Sequence, residues 1–497
     1  MKLSLSTSIL AACCSLHFAT AKSKYSPVIQ HRSRQEIGSS RHHNNNSSTD
    51  ATFSQSYPHR KRTHQNNRTK VVQNASNELS TDLKFRGGSG GGVRLPQSQR
   101  RRLVVLLVAM ALFNDMLQLT MLLPIIHTLV TNPPPLGVAT ASTSKDNAVA
   151  SLGLFFASKD ICQMAFAPLA GVLTSKTSSN VALILSTAGL GMATFVFAEA
   201  KTFCQLLVAR GAQGAASAAV LCGGMSLIAE THEQSVRGSA IGLAQTGLAL
   251  GLLCGPLIGG LLFEKLGRKM TFRLAAGIVV LNAVAQLCSM SLAPPEKVIA
   301  EGHQTKQKLV DVSSSKDILA VTASTLAIHA VVGVIKPLSQ VVLDKEFGLT
   351  VVKRSFIISI ATVTYFITTP LSGWLSDHTS RSGLVGSTLL IMSGSAAFFL
   401  LRSYLRIGSF YVSIGLLGIA MGLSMSSGHS LLADLVDRHE LGDYSMAYAL
   451  SDVADSLGLI LGPILGLYLA EIFNASAGVR AIGCLCSLLA PVVFAIR

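Results

Sequence analysis

Charge is scarce in this chain. Only 13% of the 497 residues are Asp, Glu, Lys or Arg and only 6% are aromatic, with a single tryptophan. A soluble globular domain carries about 25% charged residues, so a body folded in water is excluded. Metal and redox patterns are missing as well. Cys13, Cys14, Cys162, Cys204, Cys222, Cys254, Cys288, Cys484 and Cys486 all lie in or beside apolar segments, and no CxxC or Cys/His ligand spacing occurs among them. They read as small packing residues. A nucleotide site is not indicated either: GVLTSKTSS at 171–179 approaches a phosphate loop but lacks a glycine immediately before its lysine. No nucleophile, metal site or cofactor motif supports an enzyme, so neither metal nor cofactor is expected.

What is present is apolar length. Hydrophobic residues make up 49% of the chain, with 42 glycines, and from Leu103 onward they arrive in blocks of about 18 to 26 residues, each long enough as a helix to cross a hydrocarbon core about 30 Å thick. Twelve spans are predicted, at 103–130, 148–173, 181–199, 204–229, 238–263, 271–293, 317–343, 352–375, 384–401, 408–436, 443–470 and 477–496. The predicted fold class is an all-α polytopic membrane protein with twelve transmembrane helices, and the lipid bilayer is its first partner.

The formal charge of +16 invites a nucleic-acid reading, but its location argues against one. Residues 22–102 hold 16 Lys/Arg and 4 Asp/Glu, Lys2 adds one positive charge, and the rest of the chain contributes only +3. No nucleic-acid partner is expected. The tail 22–102 is rich in Ser, Asn, Arg and Gln, contains HRKRTH at 59–64 and runs into RGGSGGG, a composition that resists packing. Ahead of it, MKLSLSTSILAACCSLHFATA has a signal-peptide pattern ending in Ala-x-Ala at Ala21, so that the basic tail can act as a second address. The sequons at Asn45, Asn46, Asn67 and Asn74 matter only if this tail enters the secretory lumen. The expected organisation is a signal-peptide pattern at 1–21, a disordered basic tail at 22–102, a six-helix half at 103–293, a central loop at 294–316 and a second half at 317–497. An endomembrane or vesicle membrane is favoured as the location, with an organelle envelope or the plasma membrane as alternatives.

The two halves repeat. SLIAETHEQSVRGSAIGLAQTGLALGLLCGPLIGGLLFE at 226–264 matches LLADLVDRHELGDYSMAYALSDVADSLGLILGPILGLYLAE at 431–471, which superposes Glu230 on Asp437, Gly255-Pro256 on Gly462-Pro463, and Glu264 on Glu471. Spans 4 and 5 thus resemble spans 10 and 11, the pattern of two six-helix halves in parallel repeat with a site between them.

RGAQGAAS at 210–217 resembles the fourth-helix RxxQG motif of the major facilitator superfamily, and GLALGLLCGPLIGG at 247–260 resembles the fifth-helix motif of its proton antiporters. ALFNDMLQLTMLLPII (111–126), GLFFASKDICQ (153–163) and YALSDVADSLGLILGP (448–463) are similar to the first, second and eleventh helices of the vesicular amine transporters. This resemblance implies cytoplasmic termini and a monomer that exchanges a small organic solute for protons. It also implies an ion pair between Lys159 and Asp452, an acid of the first helix at Asp115, a fourth-helix arginine at Arg210 with Gln213 and Gly214, and small-residue packing at Gly251, Gly255, Pro256, Gly259, Gly462 and Pro463.

Residue chemistry gives these positions content. A lysine in mid-membrane costs about 3 kcal/mol on insertion scales, so Lys159 needs a polar interior and a partner, either as part of a gate or as a structural ion pair. Asp115, as an isolated buried carboxylate, suits a proton carrier, or else supports its neighbour Asn114. Asp455 lies three residues after Asp452 on nearly the same face and offers a second titrating group. Asp160 is turned off the face of Lys159 and receives no role.

Departures from the amine carriers narrow the reading. Lys336 stands in GVIKPLS where those carriers place a glutamate, and Met425 in GLSMSSGHS where they place an aspartate. With His329 and His429 in the same cavity-lining spans, Lys336 favours an anion or zwitterion over a simple amine. The connection between spans 2 and 3, GVLTSKTSSN, has lost the acid of the superfamily's gating loop, whereas GWLSDHTSRSG between spans 8 and 9 keeps Gly373, Asp377 and Arg381. The reading is a twelve-helix carrier that exchanges an organic cation, drug or zwitterion for protons; alternatives are an organic-anion carrier and a transport-silent sensor or scaffold.

Overall fold

Apolar blocks of this length, with few β-branched runs and polar caps at their ends, become helices. In the computed structural model the described residues are 96–122, 145–292, 312, 314–401, 407–472 and 475–496, and no strand occurs among them. The tail, the sequons and most of the central loop lie outside them. Span 1 is Gln97–Thr120, span 2 Lys145–Lys176, span 3 Ser179–Glu199 and span 4 Phe203–Thr231. Spans 5 and 6 form one run, Gln234–Leu292, broken at Gly267. Spans 7 to 12 are Lys316–Lys345, Val351–His378, Arg381–Leu400, Ile407–Arg438, Tyr444–Ile472 and Ala475–Phe494. Among the described residues eight helices are long and apolar enough, by length and composition, to cross a membrane.

Local sequence sets the boundaries. Thr202 caps span 4 in a reciprocal capping box with Gln205, and Ser178 and Ser380 cap spans 3 and 9. The break between spans 5 and 6 falls at Gly267 because its φ of 69° is left-handed, a conformation that only glycine adopts at little cost. Span 1 starts six residues before its expected Leu103, since Arg100 to Arg102 continue the helix and Arg101 Nη2 reaches Glu233 Oε1 at 3.2 Å.

Glycines bring the inner helices together at equivalent places in the two halves. A methyl on Gly251 would lie 2.5 Å from the Phe113 carbonyl oxygen of span 1, and one on Gly458 would lie 2.5 Å from the Leu326 carbonyl oxygen of span 7. Gly255 and Gly259 meet Thr120 and Met121 in the same way. Pro256 lies inside the helix; the side chain of Pro463 lies outside the described residues. Close backbone approach of this kind is how helices pack without a hydrophobic gradient between them.

Candidate functional site

Span 2, which carries GLFFASKDICQ, packs against spans 4 and 11 and reaches span 1 through Lys159. Lys159 is 2% exposed. Its Nζ lies 3.4 Å from Asp115 Oδ1 of span 1 and donates to Gln163 Oε1 at 3.3 Å. Gln163 Nε2 in turn donates to Asp452 Oδ1 of span 11 at 2.8 Å. The expected direct Lys159–Asp452 pair is therefore replaced by a three-residue bridge. Gln163 lies one turn beyond Lys159 on the same face, and it occupies the space between ammonium and carboxylate. Asp115 is not isolated as expected either, because Ser217 of span 4 also donates to its Oδ1.

Arg210 belongs to a second network behind this bridge. It is fully buried, donates from Nη1 to Gln213 Oε1 at 3.0 Å and lies over the Phe155 ring at 5.5 Å. Gln213 Nε2 donates to Thr194 Oγ1 at 3.1 Å, and that hydroxyl donates to Gln118 of span 1. The Arg210 guanidinium also lies within electrostatic reach of Asp160 and Asp115, and no ion pair joins it to either among the described residues. Gly214 explains the glycine of RxxQG: a methyl there would collide with the Lys159 carbonyl and lie 3.1 Å from Gln163 N.

The C-terminal half holds its own ionisable group. His329 Nδ1 of span 7 lies 3.1 Å from Asp455 Oδ1 of span 11. His429 of span 10 is 2% exposed, and its Nδ1 faces the Met425 carbonyl oxygen at 2.5 Å and Gln245 Nε2 of span 5 at 3.5 Å. No ion pair to Lys336 occurs among the described residues. Several buried polar atoms in this layer have no hydrogen-bond partner among the described residues, including both amide atoms of Asn114, Asp452 Oδ2 and His429 Nε2. Buried polar atoms are otherwise nearly always satisfied, so these are the open hydrogen-bonding positions of the layer.

The end of the bundle that carries the connections 2–3 and 8–9 is held shut. Asp377 accepts from the backbone N–H groups of Gly238 and Ser239 at 2.8 and 2.7 Å, at the start of span 5, where the helix dipole favours a carboxylate. Gly373 packs on Gly238 and Gly242, which leave no room for side chains. Arg381 donates to Asp434, to the Gln234 carbonyl oxygen and, at 3.1 Å, to Asp377. Arg237 donates to Asp437 Oδ2 at 2.7 Å and faces Tyr444, whose hydroxyl donates to Asp437. Sequence reasoning missed Arg237, Asp434, Asp437 and Tyr444. Their signal was the pair of acids three residues apart at the end of span 10. Between spans 4 and 5, burial and the neighbouring Arg101 and Arg237 push the His232 imidazole down to about 4, although the Ile228 carbonyl opposes this.

This bundle is that of a known family. The model of the Major Facilitator Superfamily matches residues 103–333 and 321–497. The synaptic vesicular amine transporter of Bos taurus is 28% identical over 361 residues, which is 72% of this chain and 68% of that protein. The structure of the human organic anion transporter MFSD10 has a TM-score of 0.64 at 14% identity, covering 79% of this chain and 99% of that one. A proton:xylose symporter has a TM-score of 0.66 at 15% identity, covering 81% of this chain and 96% of that one. Fold, repeat and motifs agree with these matches: the chain is a multi-pass membrane protein that belongs to the major facilitator superfamily and resembles the vesicular amine transporters.

Proposed function

We propose that the protein is a proton-coupled antiporter of a small organic solute, a cation, drug or zwitterion, working as a monomer by alternating access in an endomembrane or vesicle membrane. The observation that carries this reading is the buried bridge Asp115–Lys159–Gln163–Asp452, which runs from the N-terminal half into the C-terminal half. A charge of this kind is expensive in a membrane and persists where it has work to do. Asp452 Oδ2 has no partner among the described residues and is the open position for a proton. A proton there removes the negative charge that Gln163 and Lys159 face, which weakens the tie between the halves. The cluster around Arg381 is the counterpart that keeps one end closed until the halves rock apart.

The experiment is uptake by the full chain in liposomes with an acidic lumen, offered amines, zwitterions and carboxylates. Accumulation of at least one solute, abolished by a proton ionophore, supports the reading; accumulation unaffected by the ionophore overturns it. A second reading, an organic-anion carrier, is favoured by Lys336, which has no ion pair among the described residues. It requires that carboxylates alone accumulate.

A further inference from the structure

The C-terminal half lacks the acids that the amine-carrier resemblance implies, since spans 7 and 10 carry Lys336 and Met425 at those positions. The same layer instead holds His329, 4% exposed, beside Asp455. His329 Nδ1 lies 2.9 Å from the Thr325 carbonyl oxygen as well as 3.1 Å from Asp455 Oδ1. The Thr325 carbonyl oxygen is an acceptor, so Nδ1 carries the hydrogen and the open lone pair is on Nε2; Asp455 Oδ1 has no hydrogen-bond partner among the described residues and faces the ring as a charge. Among the described residues nothing donates to that Nε2. A ring fixed in this way takes a proton at Nε2 and keeps the resulting cation against a carboxylate.

We propose that His329, held by Asp455, is the proton-accepting site of the C-terminal half, taking the place of the carboxylates that spans 7 and 10 lack. This rests on the antiport reading. The proton bonds to Nε2 through its lone pair when the site faces one compartment and leaves from the same atom when it faces the other; no other bond forms or breaks. The groups facing the ring set its behaviour. Asp455 of span 11 stabilises the cation, with Asp452 one turn before it. Lys336, two turns along span 7, and His429 of span 10 interact with the ring and oppose a second positive charge. Tyr365 of span 8 lies within electrostatic reach of Asp455. Span 12 contributes Cys486 to the apolar core, and the ionisable residue of span 9, Arg381, is engaged in the end cluster. His429 fits the role less well, because no ion pair joins it to a carboxylate among the described residues.

The test is a proton titration of the full chain in nanodiscs, with histidine rings carbon-labelled and read by NMR. One ring resonance, identified by its absence from His329→Asn protein, is expected to titrate between about pH 5 and 8. Its midpoint should move by at least one pH unit in Asp455→Asn and by less in His429→Gln. A His329 ring that keeps one protonation state across this range, or that ignores Asp455→Asn, overturns the proposal. If Asp455→Asn does not fold, Asp455→Glu must preserve the titration. Solute-dependent proton flux, read by pyranine inside liposomes, separates this from the antiport reading. Absence of flux with a normally titrating His329 contradicts antiport and the role in exchange together, whereas flux with a silent His329 contradicts this proposal alone.

Discussion

The connections 2–3 and 8–9 occupy equivalent places in the two halves, yet they hold the bundle by different chemistry. Gly171 packs on Ser445 and Ala449 of span 11 much as Gly373 packs on span 5. Four residues later the copies part. Asp377 crosses to the other half and accepts from two N–H groups of span 5, whereas Ser175 turns back to its own Val172 carbonyl oxygen at 3.2 Å. The N-terminus of span 11 is served instead by Asp443, which accepts from Ser445 N at 2.9 Å. The helix end is capped either way, but only Asp377 makes the cap a tie between halves. Arg381 and Ser179 continue the contrast: the arginine also reaches the Gln234 carbonyl oxygen of the other half, whereas the hydroxyl donates to Glu230 at 2.6 Å within its own half. The lost acid of the first copy leaves the ionic tie between the halves concentrated on one side.

This asymmetry can be broken. Replacing Arg381 by alanine leaves the buried Asp434 without its principal cation and should destabilise the protein by about 3–5 kcal/mol; Ser179→Ala should cost about 1 kcal/mol. Thermal unfolding in detergent compares the two, and equal losses would show that the two sides carry equal weight.

A pH experiment sharpens the ionic side. His232 sits near 4 in the folded protein against an ordinary value of 6.5. On acidification the unfolded chain therefore binds the proton first. The stability contributed is present above about pH 6.5 and is lost as pH falls towards 4, reaching about 1.4 kcal/mol at pH 5.5. His232→Asn should flatten the melting temperature between pH 7 and 5.5 relative to the native protein. An unchanged slope would mean that the buried ring is not the source.

The smallest effect tests the relocated cap. Asp443→Ala should cost about 1 kcal/mol, as for other caps, and Ser175→Asp added to that variant should restore part of it by capping span 11 from the other half. Melting temperatures of the single and double variants decide this, and an additive loss would contradict the equivalence of the two connections.

Much of the fold was legible because a bilayer imposes length and apolarity on each span; predicted and observed limits agree to a few residues at most ends, and the glycine repeats pointed to close packing. That Lys159 would sit among polar partners was legible from the cost of its charge. Its true partners were not. Whether Lys159 meets Asp452 directly or through Gln163 depends on the rotation of helices from different halves, which no local pattern encodes. The same holds for His329 and Asp455, which are 126 positions apart and become neighbours only when spans 7 and 11 pack through Gly458 and Gly462.

The central claim is that the bridge ending at Asp452 couples solute to protons. Asp452→Asn keeps the shape and the bond from Gln163 but removes the titrating group. In pyranine-loaded liposomes, solute exchange at equal pH should persist in this variant while solute-dependent proton flux falls below that of the native protein. Proton flux equal to that of the native protein would contradict the claim.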